Sequence, residues 1–353
     1  MNSFISYFKK SPALFIAIAL IVSIETILHF IPNLHYIEGG GAFLTTYKRL
    51  IAEKGKDDFD YLMFGDSRSL SILGKKRTVE NKFSMYNFSL PAAGPRYFRF
   101  YLKKYLRHHK KPEGVIWAVD PEQLQPQKGL SFNSDKALWT QYKHRLLNLF
   151  SVVENVEQYS GRELFFIMKE SAPNLMYSVK YREGLEKLFS GFVLQNFKQY
   201  ELPNVRRNLL IESMMNKTNG QINLGNYFFA PEDASVQNMK SYIANMQKTD
   251  YTILPLREFL EYCKLESMPV IVLDIPHATG LNDTPYYKTT INAITNEVKN
   301  YPNAVYLSFP EVDYDPKLFS ESIHYNSKGE KKVNEEFDKF IWPKVLSFAR
   351  QKL

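Results

Sequence analysis

Pro12 to Ile31, "PALFIAIALIVSIETILHFI", is apolar nearly all round. About 20 such residues suffice for a helix to cross the roughly 30 Å hydrocarbon core of a bilayer. Glu25 and His29 break the pattern towards its far end, where a polar residue sits near an interface or faces a partner helix. After the loop "GGGAF" the apolar runs become short: Tyr61 to Phe64, Phe83 to Leu90, Gly114 to Asp120, Pro269 to Pro276 and Ala304 to Phe309. Their length and their Pro and Gly boundaries predict five buried strands. Between them the period is helical. "RYFRFYLKKYLRHH" sets Phe98, Tyr101, Leu102 and Tyr105 on one face, further helices fall near Pro255 to Leu265 and Tyr287 to Lys299, and a last one over Ser327 to Val345 sets Val333, Phe337, Phe340 and Ile341 together. Strands alternating with helices predict βαβ units and a parallel sheet.

One stretch departs from the alternation. From about residue 128 to 250 helices and loops appear without a convincing buried strand, including a helix opening at "SDKALW" (Ser134 onward) and a loop at Asn216 to Gly220. This reads as a helical insertion in an α/β domain. The organisation predicted is an anchor over residues 1–36 and one domain over 37–353, with no internal repeat.

Charge adds an orientation. Lys9 and Lys10 precede the apolar segment and no Lys or Arg follows it until Lys48. By the positive-inside rule the N-terminus stays in the cytoplasm and the remainder is extracytoplasmic, on a single-pass anchor in the inner membrane. The run is long for a signal peptide and lacks a small-x-small cleavage site. The net charge of +8 is spread over short clusters such as Lys75-Lys76-Arg77 and Lys110-Lys111, which argues against nucleic acid and suits an anionic envelope surface. The one cysteine, Cys263, lies among helical apolar neighbours and reads as a buried thiol. No metal-ligand spacing occurs, and neither a metal nor a cofactor is expected.

Candidate chemistry collects where strands end. The first strand runs into Gly65-Asp66-Ser67, where a helix is expected to begin. In an open parallel sheet the carboxyl ends of the strands form the functional edge. A helix N-terminus there offers unpaired N–H groups to an oxyanion. The tripeptide alone arises by chance in roughly one chain in ten of this length, so a second element is needed. After the last strand, "LFSESIHYNSKGEKKV" places His324 just before the final helix and Glu321 three residues earlier. In a tight turn that spacing lets a carboxylate hold the imidazole Nδ1–H and leave Nε2 to take a proton from a serine. Asp66, Arg68, Arg96, Asp120 and His277 are candidate substrate contacts around the same edge; an exposed charge is the plainer reading of the arginines, and core or rim packing that of His277.

A GDS after the first strand, a Gly-containing loop after the second and an acid-x-x-His before the last helix resemble the SGNH (GDSL-like) hydrolase superfamily. The resemblance is to its membrane-anchored bacterial envelope branch, which includes alginate O-acetylation and D-alanyl-lipoteichoic acid proteins. It spans about Asp60 to Leu346 in short blocks. It implies a three-layer, flavodoxin-like α/β fold with a five-stranded parallel sheet, and it makes Ser67 the nucleophile, His324 the base and Glu321 the orienting acid. The family usually has Asp at this last position. Its second block implies an oxyanion hole from the Ser67 and Gly94 backbone N–H groups, with Ser89 or Ala92 standing where glycine is expected. Its third block reads Gly-x-Asn-Asp, whereas this chain has "WAVDPEQL", with Asp120 near the Asn position. An ionised carboxylate cannot donate to an oxyanion. The resemblance implies a serine esterase or O-acyltransferase acting on acyl esters of an envelope glycan or polymer, with a polytopic membrane-bound O-acyltransferase as partner. A catalytically weakened scaffold and a lipid esterase are the other readings left open.

Overall fold

The computed structural model describes residues 12–79, 81–91, 93, 95–124, 153, 156, 160–171, 175–194, 203–223, 250–320 and 323–352. Two helices precede the sheet: α1 (Pro12–Phe30) and α2 (Gly40–Lys54), joined by a 3-10 turn at Leu34–Ile37. Strand β1 (Tyr61–Phe64) follows, then β2 (Met85–Asn87), α3 (Pro95–His108) and β3 (Gly114–Val119). The insertion contributes α4 (Gly161–Ser171), α5 (Tyr177–Lys180), α6 (Arg182–Leu194) and α7 (Pro203–Thr218). Then come α8 (Leu254–Leu265), β4 (Val270–Asp274), β5 (His277–Ala278), α9 (Pro285–Val298), β6 (Ala304–Ser308) and β7 (Asp313–Tyr314). The chain closes with α10 (Ser327–Glu336), a π turn at Phe337–Ile341 and α11 (Trp342–Lys352). The predicted helix at Ser134 lies outside the described residues.

The five long strands form one parallel sheet in the order β2-β1-β3-β4-β6, as the strand and helix alternation predicts. Successive strand residues alternate between its two faces. Leu62, Phe64, Val115, Trp117, Val270 and Val272 pack under α2, α3 and α8, while Tyr61, Met63, Ile116, Ala118, Ile271 and Leu273 pack under α10 and α11. Helices therefore cover both faces, as buried parallel strands require. Cys263 is fully buried on α8, and burial pushes its thiol pKa up.

Four local expectations are corrected. Ser67 is followed by a single 3-10 turn, Ser69–Ser71, rather than an α-helix, so β1 and β2 lack the helical crossover expected between them. The predicted loop at Asn216 to Gly220 is largely helix: α7 continues to Thr218 and the chain turns only at Asn219 and Gly220, both at positive φ. The last helix is wound wider at Phe337–Ile341, which keeps Phe337 and Ile341 buried and leaves Phe340 37% exposed. Pro343 lies just beyond this turn, and its missing N–H cannot close the ordinary helical bond. Finally, β5 and β7 form a separate two-stranded parallel pair with no counterpart in the expected strand set.

The polarity of α2 matters for the site. It runs parallel to α3: Tyr101 Oη donates to Thr45 O at 3.0 Å, and near the far ends His109 Nε2 lies 3.1 Å from Ile51 O. As the crossover between two parallel strands, α3 runs from the carboxyl edge of the sheet back to the amino edge. The start of α2, which follows α1, therefore lies at the carboxyl edge. Lys48, mid-way along α2, is wholly buried, and its Nζ donates to Asn87 O (2.6 Å), Ser89 O (2.8 Å) and Gly220 O (2.8 Å). Burial pushes its pKa well down. This one amine ties the end of β2 to the return loop of the insertion.

Candidate active site

The GDS segment is built by close packing. A Cβ on Gly65 would lie 2.1 Å from Ser69 Oγ and 2.9 Å from Ser69 Cβ, so only glycine allows the chain to fold back after β1. Asp66 then makes an Asx turn, with Oδ1 accepting from Arg68 N–H at 3.0 Å. Asn87, at the end of β2, donates from Nδ2 to Ser69 O and Ile72 O, both at 2.8 Å. Ser67 thus stands on a braced turn at the carboxyl edge, partly open to solvent.

His324 arrives from the other end of the chain. Ser320 N–H donates to His324 O at 2.8 Å, and Phe319 bridges Tyr325 antiparallel, closing a tight turn. Asn326 carries this turn: Nδ2 donates to Lys317 O at 2.7 Å, and Oδ1 caps α10 by accepting from Lys328 and Gly329 N–H. Tyr325 Oη donates to Pro276 O at 2.6 Å, pinning the turn to the end of β4. The result sets His324 Nε2 2.7 Å from Ser67 Oγ, across 257 positions of sequence. With the imidazole proton on Nδ1, Nε2 accepts the serine hydroxyl hydrogen. Glu321 and Gly94 lie outside the described residues, as does the side chain of Arg96.

The other predicted substrate contacts fall beneath the serine. Arg68 is 2% exposed and Asp120 is 1% exposed, and the two form an ion pair. Arg68 Nη2 also lies 3.6 Å from Asp66 Oδ2, and Nη1 lies 3.0 Å from His277 Nδ1. A guanidinium only donates, so His277 Nδ1 is bare and its proton sits on Nε2, 3.8 Å from Asp274 Oδ1. Burial pushes the His277 pKa down, so the ring is neutral. Asp274 accepts from Tyr287 Oη (2.8 Å) and Tyr306 Oη (2.9 Å). Arg68 is therefore not an exposed charge, and His277 is a buried link rather than a cleft wall. A buried polar chain, Asp120–Arg68–His277–Asp274, lies beside the Ser67 turn at the ends of β1, β3 and β4.

Sequence reasoning missed Lys48, Asn87 and Asn326. Asn326 had a signal, since Asn directly before a Ser-Lys-Gly-Glu helix start is a capping residue. Lys48 had none: on "TTYKRLIAEK" it reads as a solvated helix face.

Glu330, in the first turn of α10, gives a pH-dependent prediction. Burial raises its pKa from 4.5 to about 7 although Gln221 Nε2 donates to it. The folded state holds this proton where the unfolded chain releases it, so the stability tied to it is complete below about pH 4.5 and is lost as pH rises towards 7. Thermal melts of wild type and Glu330→Gln across this range should show the wild type losing more Tm. Parallel curves would mean that Glu330 titrates normally.

Comparison with known proteins adds the following. The family model DUF1574, described as a protein of unknown function, matches residues 45–329. No curated protein matches the chain. A solved structure of a candidate platelet activating factor from Streptococcus pneumonia is similar over 85% of this chain and 91% of its own, at 7% identity and a TM-score of 0.37. That likeness is too distant to transfer an activity.

Proposed function

The chain belongs to the DUF1574 family, and since that description assigns no activity we propose one from the site: a serine-dependent ester hydrolase or O-acyltransferase of the SGNH type. The observation that carries the reading is the 2.7 Å approach of His324 Nε2 to Ser67 Oγ. His324 takes the hydroxyl proton as Ser67 Oγ attacks an acyl carbonyl. The oxyanion forms against backbone N–H groups of the Ser67 turn, with Gly94 the second donor in this reading. His324 returns the proton to the leaving alkoxide, and water or a sugar hydroxyl, activated by the same imidazole, releases the acyl group from Ser67. Glu321 holds the imidazole Nδ1–H. Hydrolysis and transfer differ only in which hydroxyl resolves the acyl-enzyme.

The acyl ester proposed is on a cell-envelope glycan or polymer, with the acyl donor delivered at the bilayer by a polytopic acyltransferase. The position of the anchor supports this. α1 has a mean hydropathy of 2.3, long and apolar enough to cross a membrane, and its connection enters the domain at the carboxyl edge, where Ser67 and His324 lie. In this reading α1 is the inner-membrane anchor, the N-terminus is cytoplasmic and the site opens near the outer face of that membrane. α1 also packs on the domain through Leu28, which shares a cluster with Leu34, Ile37 and Tyr181. That contact favours a retained anchor over a cleaved signal.

A second reading rests on Asp120. It stands where the superfamily has an oxyanion-donating Asn and is committed to Arg68. A missing donor typically costs about 100- to 1,000-fold in rate, which favours a weakened scaffold that binds a glycan or an assembly partner. A serine-directed fluorophosphonate separates the two. Labelling of the wild type that disappears in Ser67→Ala and His324→Ala supports the enzyme. A folded wild type that takes no label supports the scaffold. Long-chain rather than acetyl preference among labelled-enzyme substrates would redirect the reading to a lipid esterase.

A further inference from the structure

Glu25 is the lone acid in α1, five residues before its end. Its carboxylate accepts from Tyr177 N–H at 2.6 Å, Ser178 N–H at 3.1 Å and the Ser178 hydroxyl. The ring of His29, one turn further on, stands edge-on to Tyr177 at 5.1 Å. The insertion is thereby fastened to the apolar helix itself, part-way down its length. At 1.5 Å per residue, Glu25 lies about 7.5 Å inside the end of α1. The apolar run Pro12 to Ile31, with Lys9 and Lys10 just before it, is about 30 Å long as a helix, close to the thickness of a hydrocarbon core, so little apolar length is spare to lift Glu25 clear of it.

The residues flanking this contact share its depth. Leu175, Met176 and Val179 lie within two residues of Tyr177 and are 54%, 37% and 37% exposed in the protein alone. Lys180 Nζ stands 5.7 Å and 4.9 Å from the ring centres of Tyr177 and Tyr181. Tyrosine rings beside a lysine ammonium are side chains favoured at a membrane–water boundary.

We propose that the segment Leu175–Lys180 is a bilayer-contacting collar, whose apolar side chains enter the acyl–headgroup boundary of the membrane crossed by α1. The occupant of this exposed patch is lipid, in the leaflet nearer the catalytic domain. The depth set by Glu25 falls within the roughly 5–10 Å that interfacial segments sink below the surface. Through the collar the insertion holds the domain at a fixed height and tilt instead of letting it swing on its anchor. The proposal rests on α1 being a membrane span.

The test uses the full-length chain in vesicles of phosphatidylcholine and phosphatidylglycerol with brominated acyl chains. An environment-sensitive fluorophore is attached to Met176→Cys or Val179→Cys, with Val22→Cys in α1 and the 82% exposed Leu265→Cys at the amino edge of the sheet as references. Cys263 is buried with a raised thiol pKa and reacts poorly. The collar predicts that probes at 176 and 179 lose most of their emission to the brominated chains, as the Val22 probe does, while the Leu265 probe loses none. Unquenched probes at 176 and 179 beside a quenched Val22 probe overturn the collar and leave the anchor standing; if their emission is also blue-shifted, a protein covers the patch instead. An unquenched Val22 probe overturns the anchor, and the collar with it.

Discussion

If the proposed serine chemistry holds, Ser67→Ala and His324→Ala are each expected to lower ester turnover by about 10⁴- to 10⁶-fold, with the double variant losing little more than either alone. This is the behaviour of two groups acting as one unit. The hydroxyl is a weak nucleophile until the imidazole takes its proton, so removing either leaves the other with nothing to do. The 2.7 Å approach of the two groups is the geometric basis of that expectation. Initial rates on a short-chain aryl ester, with folded material verified by circular dichroism, measure it. Two modest losses that multiply in the double variant would mean that the residues act separately.

Arg68→Met destabilises the fold by about 3–5 kcal/mol, the cost of leaving a buried carboxylate without its counter-charge. Asp120 is 1% exposed and Asp66 is also within reach of the same guanidinium. Adding Asp120→Asn to the Arg68→Met background recovers much of the loss, since the stranded charge is then gone. The denaturant midpoints of the two single variants and the double variant give the coupling. If Arg68 were instead a substrate contact, Arg68→Met would raise KM and leave the midpoint where it was. The two outcomes separate a buried brace from a binding residue.

The difference between what was legible and what was not follows from range. β1 and β3 announce themselves because a strand buried on both faces is apolar at every position, and β4 and the half-buried edge strand β6 because theirs is broken only at the last residue; Gly and Pro punctuate the ends. The face of α3 was legible because Phe98, Tyr101, Leu102 and Tyr105 keep a helical period. Ser67 and His324 were legible as partners because the parallel topology sends both strand ends to one edge. Arg68 and Lys48 were not, because a cation is buried only when partners distant in sequence surround it, and local pattern carries no trace of Asp120 or of the Asn87 and Gly220 carbonyls. The turn after Ser67 was misjudged for a related reason. Asn87 binds Ser69 O and Ile72 O, groups that a continuing α-helix would have kept for itself. The β5–β7 pair rests on two residues from each strand, too few to show a period.

Between Phe30 and Gly40 only nine residues intervene, and four of them are wound into the Leu34–Ile37 turn. Even drawn out straight, nine residues reach about 30 Å. With α1 as the proposed anchor, the connection is short, and the hydroxyl and imidazole are confined to a thin shell above the lipid. If the substrate is the envelope polymer proposed above, polymer carried outward beyond that shell is out of range, and its modification falls while it is being passed across the membrane or held at its surface. Splicing a long flexible spacer into this stretch would widen the shell and dilute the encounter at once.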